Sequence, residues 1–294
     1  MLYEPAHAKI NLFLDVISKR PDGYHNLKSC MQTVGLADTI SASLRDHPTG
    51  QSIELTCSNE KLACDRKNLA YRSAEAFFSA AKIESYELKM HIEKRIPLSA
   101  GLGGGSADAA AVLRMLNKYY DFPLSTAEIV EIGASLGSDV PFCIHGGTCH
   151  CVGVGDILTP VLTQPDYTVL VAKNGEGIST PEAFSLLDQK YSDFTNYQPP
   201  EHDRIYEALS CGNVHALHNA TYNIFEDVIF PIRPESKRLK EFMLDRGAIC
   251  AQMSGSGPSV FGIFVSDARA ELCAAMLRQE GIFAVACRTV SAKI

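Results

Sequence analysis

No stretch of the chain approaches the roughly 20 consecutive apolar residues that a membrane-spanning helix needs. No run of lysine and arginine stands out against a formal net charge of -7, so neither a membrane nor a nucleic acid is expected as a partner. A short basic patch for a small anionic ligand stays compatible with that balance. No C-x-x-C pair occurs among the 10 cysteines. The nearest group, Cys143, Cys149 and Cys151, lacks the spacing of a zinc site or a disulfide framework, and the thiols read as mostly buried and reduced. The opening MLYEPAHAKI has the pattern of neither a signal peptide nor a transit peptide. There is no internal repeat. A cytoplasmic protein with no obligatory protein partner is the expectation.

What is present is enough apolar sequence for a packed core. Of 294 residues, 46% are hydrophobic and 21% charged, which fits one large domain or two ordinary ones. The most informative stretch is PLSAGLGGGSADAA, Pro97 to Ala110, with glycine at 101, 103, 104 and 105. Glycine tolerates positive φ and has no Cβ, so the backbone there can curl and turn several N–H groups into one concavity. An alanine-rich helix is expected to open at Ser106, adding four unpaired N–H groups and a positive dipole end. Together these make an anion site, most simply for phosphate. No lysine follows the last glycine, so this is not the P-loop pattern, nor is it G-x-G-x-x-G. A flexible linker or a tight helix–strand contact is the alternative, and linkers rarely run into an alanine-rich helix.

Residues 7–16 alternate as a strand, with Lys9, Asn11 and Phe13 on one side and Ile10, Leu12 and Leu14 on the other. Pro21-Asp22-Gly23 predicts a turn and a returning strand beginning near Tyr24 and His25. Residues 29–58 read as short strands broken by a polar loop around Asp46 to Gly50. Asn68 suits the N-cap of a helix carrying Ala70, Ala74, Phe77 and Ala81 on one face. Leu88 to Lys94 alternates into the glycine loop. Ser125 and Glu128 form a capping box for a helix ending near Gly137, and Pro141 suits the first turn of a short helix in GSDVPF. Gly146 to Asp156 reads as a strand or hairpin. Pro160 and Pro165 bracket a boundary, giving domains of residues 1–160 and 161–294. The second opens with the strand Tyr167 to Lys173 and has an exposed loop over 189–204. A helix over Pro234 to Arg246, two strands around the turn Ser254 to Ser259, a helix over Asp267 to Glu280 and a strand over Phe283 to Val290 complete it. This order is that of a split βαβ, ferredoxin-like domain.

Phosphate chemistry needs cations, a metal and a group to orient the nucleophile. Lys9 in mid-strand and Asp139 before a helix are candidates. Read singly, Lys9 also fits an edge strand in water, Asp139 a helix cap, Ser254 to Ser259 an ordinary hairpin turn, and Tyr24 and His25 surface and core filler.

Taken together, AKINLFLDV, RPDGYHNL, PLSAGLGGGSADAA, GSDVPF and MSGSGPSVF resemble the GHMP small-molecule kinases, in the family's order and over nearly the whole chain. The AKINL and DGYH segments resemble the branch that phosphorylates the 2-hydroxyl of a cytidine-diphosphate sugar alcohol in non-mevalonate isoprenoid synthesis. The resemblance implies an α+β GHMP kinase fold, with an N-terminal ribosomal-protein-S5-like ATP-binding domain and a C-terminal ferredoxin-like domain. It implies ATP with Mg²⁺. Asn68, Leu69 and Lys94 would contact adenine and ribose. Pro97, Gly101, Leu102, Gly103, Gly104, Gly105, Ser106 and Ala107 would lie around the phosphates. Lys9 and Asp139 would be the catalytic pair, with Asp139 orienting or accepting the hydroxyl proton and Lys9 pairing with it and with the transferred phosphoryl. Asn11, Tyr24, His25 and Phe184 would hold the cytidyl end, with Phe184 stacking on the base. Ser254, Gly255, Ser256 and Gly257 would close over the substrate diphosphate or the ATP phosphates. Two positions depart from the pattern. Ser99 stands where the superfamily often has glycine, and Ala107 where many members carry a second serine. No protein metal ligand is expected beyond Ser106. The alternatives are a homoserine- or mevalonate-type relative, which would have no base to stack, and a non-catalytic nucleotide binder, which would be free to lose Lys9 or Asp139.

Overall fold

The computed structural model describes residues 1–45, 49–161, 166–192, 194, 197–212 and 214–292. Part of the predicted loop at 46–48, Pro165, and residues 193, 195 and 196 of the predicted 189–204 loop lie outside them. In chain order the elements are β1 (Leu2–Lys19), β2 (His25–Leu44), β3 (Gln51–Cys57), α1 (Leu69–Ala80), β4 (Tyr86–Glu93), α2 (Gly104–Tyr119), α3 (Thr126–Leu136), α4 (Val140–His145), β5 (Thr148–Gly153) and β6 (Ile157–Pro160). Then come β7 (Thr168–Lys173), α5 (Thr180–Tyr191), α6 (Arg204–Ser210), a 3₁₀ turn (Val214–Asn219), β8 (Tyr222–Asn223), α7 (Glu226–Ile229), α8 (Pro234–Asp245), β9 (Cys250–Met253), β10 (Val260–Phe264), α9 (Asp267–Gln279) and β11 (Phe283–Arg288).

The first sheet has the order β3-β4-β2-β1-β8, with β5 and β6 continuing from β2. The region expected to be several short strands contains one 20-residue strand, β2. Its length is used twice: Leu27–Gln32 pairs with β5 and Thr39–Leu44 with β4, while β1 runs antiparallel along nearly all of it. The β1–β2 turn forms where predicted, with Gly23 at φ 86 and the Asp22 carboxylate accepting the Tyr24 N–H at 3.0 Å.

The pairing of β1 with β2 is irregular at His7/Lys9, Asn11/Phe13 and Val16/Ser18, and the second of these breaks the predicted alternation. A bulge between Asn11 and Phe13 moves the chain by one residue. Phe13 therefore joins Ile10 and Leu12 in the core facing the second sheet, and Leu14 moves to the core beneath α5. Lys9 and Asn11 keep the side that faces the cleft.

The second sheet has the order β11-β7-β10-β9, antiparallel throughout, as a ferredoxin-like domain requires. Its continuous apolar strand β7 is explained by burial of both faces. Leu170 and Ala172 pack on α8 and α9, while Val169 and Val171 face β1. Between β7 and α8 the chain inserts α5 to α7 and returns Tyr222–Asn223 to the edge of the first sheet, pairing parallel with Phe13 and Leu14.

Two further expectations are corrected. The glycine-loop helix starts at Gly104, two residues before Ser106, so Gly104 and Gly105 form its first turn. The segment after α5 is not simply an exposed loop: Tyr197 and His202 reach back to the buried Asp15 at 2.6 and 2.9 Å. A buried carboxylate needs partners, and these tie the segment down. Cys30, Cys143, Cys149, Cys151, Cys250 and Cys273 are buried, and no described cysteine is bridged.

Candidate active site

The glycine loop and the Ser254–Ser259 turn are built against each other. Gly101 and Gly103 adopt φ 73 and 69. A Cβ on Gly101 would stand 2.0 Å from the Ser254 carbonyl oxygen. Ser254 Oγ donates to the Gly101 carbonyl at 2.9 Å, and the Ser259 N–H donates to Ala100 at 3.3 Å. Asn223 holds the turn from behind, donating to the Met253 and Gly255 carbonyls at 2.7 and 2.9 Å. From the other side the Lys9 N–H binds the Leu102 carbonyl at 3.0 Å. The loop is thereby fixed to both sheets, and the N-terminus of α2 opens into a cleft of about 1140 Å³. Ser99 lies at φ 48, which explains the glycine usual there.

Lys9 is only 4% exposed, on a strand hydrogen-bonded on both sides, so it is not an edge-strand lysine in water. Its Nζ donates to Asn11 Oδ1 at 2.7 Å and stands 3.6 Å from Asp139 Oδ2. Asn11 donates onward to Ser29 Oγ at 2.9 Å, which in turn donates to the Phe13 carbonyl at 2.8 Å. This chain turns the Asn11 carbonyl oxygen toward the ammonium. Asp139 occupies the N-cap position of α4, yet its side chain makes no capping bond. It lines the cleft instead. The site needs Gly103, because a Cβ there would meet Lys9 Cγ at 3.0 Å.

Beneath α2, Lys94 is buried between Asp38 and Asp108, at 2.8 Å from Asp108 Oδ2. Asp38 Oδ1 also accepts the N–H groups of Arg95 and Ile96 at 2.5 and 2.8 Å, which pins the start of the glycine loop to β2. Burial works against the Lys94 ammonium, but Asp108 and Asp38 outweigh it and its pKa is raised. Lys94 lines the cleft with its charge already engaged. Burial, with the Asp38 charge adding to it, pushes Asp108 up to about 7 despite Lys94. Asp108 Oδ1 is buried without a hydrogen-bond partner, which a neutral carboxyl tolerates better than a charged one.

A carboxyl raised on folding contributes stability that is complete below its unfolded pKa, about 3.9, and is lost as pH rises through the folded value. The Asp108 contribution to stability should therefore fall between pH 4 and about 7, and Asp108→Asn should remove that component from the slope of the thermal midpoint with pH. An unchanged slope in Asp108→Asn would contradict this account of the triad.

At the hairpin end, Tyr24 is 66% exposed and His25 is buried. His25 Nε2 bonds Asp188 Oδ1 at 2.8 Å, and Lys19 Nζ donates to Asp188 Oδ2 at 2.5 Å. Burial acts to raise the Asp188 pKa, but these two hydrogen bonds prevail and it is lowered. Phe184 lines the cleft and stacks on His25, with ring centroids 4.6 Å apart at 22°. One face of Phe184 is thus covered by His25.

Lys9, Asn11, Tyr24, His25, Leu69, Lys94, Pro97, Gly101 to Ser106, Asp139, Phe184, Gly255 and Ser256 share this one cleft. Four predicted residues stand behind its wall. Asn68 spends its side chain on the Ala70 N–H and the Ala63 carbonyl, each at 2.9 Å. Ala107 is packed inside the helix layer, so a hydroxyl there would face the core. Ser254 points at Gly101, and Gly257 packs on Met253. The sequence reading missed Asp38, Asp108, Asp188 and Asn223. Only the spacing of Asp188, one helical turn after Phe184, offered a signal.

A phosphate-sized cradle, a buried lysine paired with a half-buried aspartate and a two-sheet fold of this topology define an ATP-dependent small-molecule kinase of the GHMP class. Models of the GHMP kinases N terminal domain and the GHMP kinases C terminal domain match residues 68–147 and 205–282. The chain is 41% identical over 268 residues to a 4-diphosphocytidyl-2-C-methyl-D-erythritol kinase of Bacillus cytotoxicus, covering 90% of this chain and 88% of the relative. Its counterpart in Caldicellulosiruptor saccharolyticus is 41% identical over 261 residues, covering 89% and 87%. A crystal structure of 4-(cytidine 5'-diphospho)-2C-methyl-D-erythritol kinase superposes with a TM-score of 0.81 at 31% identity, covering 98% and 99%. The chain belongs to the 4-diphosphocytidyl-2-C-methyl-D-erythritol kinase family. Homoserine kinase of Cytophaga hutchinsonii shares the fold, with a TM-score of 0.73 at 17% identity.

Proposed function

We propose that Lys9 and Asp139 carry the reaction of this kinase at the mouth of α2, and that the hairpin end of the cleft holds a cytidyl group. The chain transfers the γ-phosphoryl of ATP to the 2-hydroxyl of 4-diphosphocytidyl-2-C-methyl-D-erythritol, a step of non-mevalonate isoprenoid synthesis. The observation that carries the assignment of roles is the Lys9–Asp139 pair, 3.6 Å apart beside the glycine loop. Asp139 orients the acceptor hydroxyl and takes its proton. Lys9, held by Asn11, balances charge on the phosphoryl as it moves. The α2 N–H groups hold the phosphates in line. Leu69 and Lys94 border the nucleotide, with Lys94 acting through its stem because Asp38 and Asp108 hold its ammonium.

ATP is expected to arrive with Mg²⁺. Among the described residues no group of three or more His, Cys, Asp or Glu is placed to hold a metal. That is compatible with an ion carried mainly by phosphates and water, with Ser106, which lines the cleft at the start of α2, as the protein oxygen that would reach it. Bound there, Mg²⁺ would supply charge neutralisation. No described helix is long and apolar enough to cross a membrane. The acidic balance, -7 overall, speaks against nucleic acid as a partner, and a cytoplasmic enzyme acting without a membrane or an obligatory protein partner remains part of the proposal. The division into residues 1–160 and 161–294 is proposed on the two sheets, with Tyr222–Asn223 as the strand that crosses between them.

The cytidyl assignment has a kinetic test. Base stacking on an aromatic ring contributes about 1–3 kcal/mol, so Phe184→Ala should raise KM for the cytidyl substrate with a smaller change in kcat. An unchanged KM would remove Phe184 from the site.

A further inference from the structure

Phosphoryl transfer leaves a carboxylate of the cleft without a task. Asp188, in the third turn of α5, divides its oxygens between His25 Nε2 at 2.8 Å and Lys19 Nζ at 2.5 Å. Lys19 and His25 are register partners across the β1–β2 hairpin. One helical turn earlier, Phe184 lies flat on the same imidazole. Helix α5 therefore fixes His25 twice: Phe184 sets its ring plane and Asp188 engages one nitrogen. We propose that Asp188 is a positioning residue that sets the tautomer of His25 and thereby makes this end of the cleft select cytosine over uracil. The inference rests on the cytidyl-binding reading above.

The chemistry is that of a neutral imidazole, which has one N–H and one lone pair. A carboxylate can only accept, so it takes the N–H on Nε2 and leaves Nδ1 as an acceptor. Lys19 supplies the opposite charge to Asp188. Cytosine offers a donor, its N4 amino group, where uracil offers an acceptor, O4. An Nδ1 acceptor gains a hydrogen bond with the first and meets a lone pair on the second. A histidine free to exchange tautomers would accept either base.

The test compares wild type, Asp188→Asn and Asp188→Glu on the cytidine-diphosphate acceptor and its uridine counterpart. An amide can accept or donate, so Asp188→Asn satisfies both tautomers. It should lose about 10- to 100-fold in kcat/KM on the cytidine acceptor, the span of one hydrogen bond with a charged group behind it. The loss should lie in KM, with kcat held within about threefold. The cytidine-to-uridine preference should fall at least tenfold and return in part in Asp188→Glu. Nitrogen-15 spectra of histidine-labelled wild type should show His25 protonated on Nε2 and bare on Nδ1. Equal losses on both acceptors with the preference unchanged would overturn the proposal. So would a wild-type His25 carrying its proton on Nδ1, whether or not any variant folds. Wild-type protein that used both acceptors equally would contradict the base selection alone, whereas protein that used neither would overturn the cytidyl reading beneath it.

Discussion

Asp139→Ala binds ATP almost as wild type does, and its turnover falls by about two to four orders of magnitude, the span associated with a positioned proton acceptor. The expectation follows from what Asp139 does and does not touch. It caps nothing in α4, so its removal costs the helix no side-chain bond. It faces the cleft 3.6 Å from a lysine that is itself held by Asn11, so its removal leaves Lys9 in place. The groups proposed to hold the phosphates are backbone N–H groups and are untouched. Asp139→Asn, which keeps the volume and loses the charge, should fall nearly as far. Steady-state ADP release with a separate ATP-binding titration decides the point. A loss of less than tenfold would mean that the hydroxyl finds its acceptor elsewhere.

Gly101→Ala should be the most damaging single methyl group in the loop. A residue with a Cβ costs about 1–2 kcal/mol in the left-handed region. Its Cβ would also stand 2.0 Å from a backbone oxygen of the Ser254 turn, which has no flexible end to move away. Relief requires parting the two hydrogen bonds that join loop and turn, each worth about 1 kcal/mol net. A destabilisation of roughly 3–4 kcal/mol corresponds to a thermal midpoint lower by about 10 °C, together with a raised KM for ATP. Gly105→Ala is the matched control. It lies in the first turn of α2, with its nearest neighbour, Leu69, at 3.8 Å. Alanine there should be neutral or stabilise by about 0.5–1 kcal/mol. Equal midpoints for the two variants would refute the interlocked loop and turn.

These two residues also mark how far the sequence could be read. The glycine loop, the DGYH turn and the ferredoxin-like strand order are local patterns, and the motifs carrying them lie where they were expected. Lys9 and Asp139 are 130 positions apart, and only a resemblance could join them before the fold did. The failures share a cause in long-range packing. Nothing in β1 announces a bulge between Asn11 and Phe13, because it is the pairing with β2 that sets it. Nothing in α2 announces that Asp108 shares Lys94 with Asp38 on β2. Asp188 reads as an ordinary helix-surface aspartate until the hairpin brings His25 and Lys19 to it. Asn68 is the opposite case. Its capping role was legible, and that role consumes the side chain that was assigned to the nucleotide.

The most direct test of the central claim is ADP release by the purified chain with Mg-ATP and a panel of acceptors. The panel holds 4-diphosphocytidyl-methylerythritol, the same sugar alcohol without the cytidyl group, homoserine, mevalonate and galactose. The cleft described here predicts turnover of the cytidyl compound alone, lost in Asp139→Ala. Turnover of homoserine or mevalonate in its place, or ATP binding with no turnover of any acceptor, would contradict it.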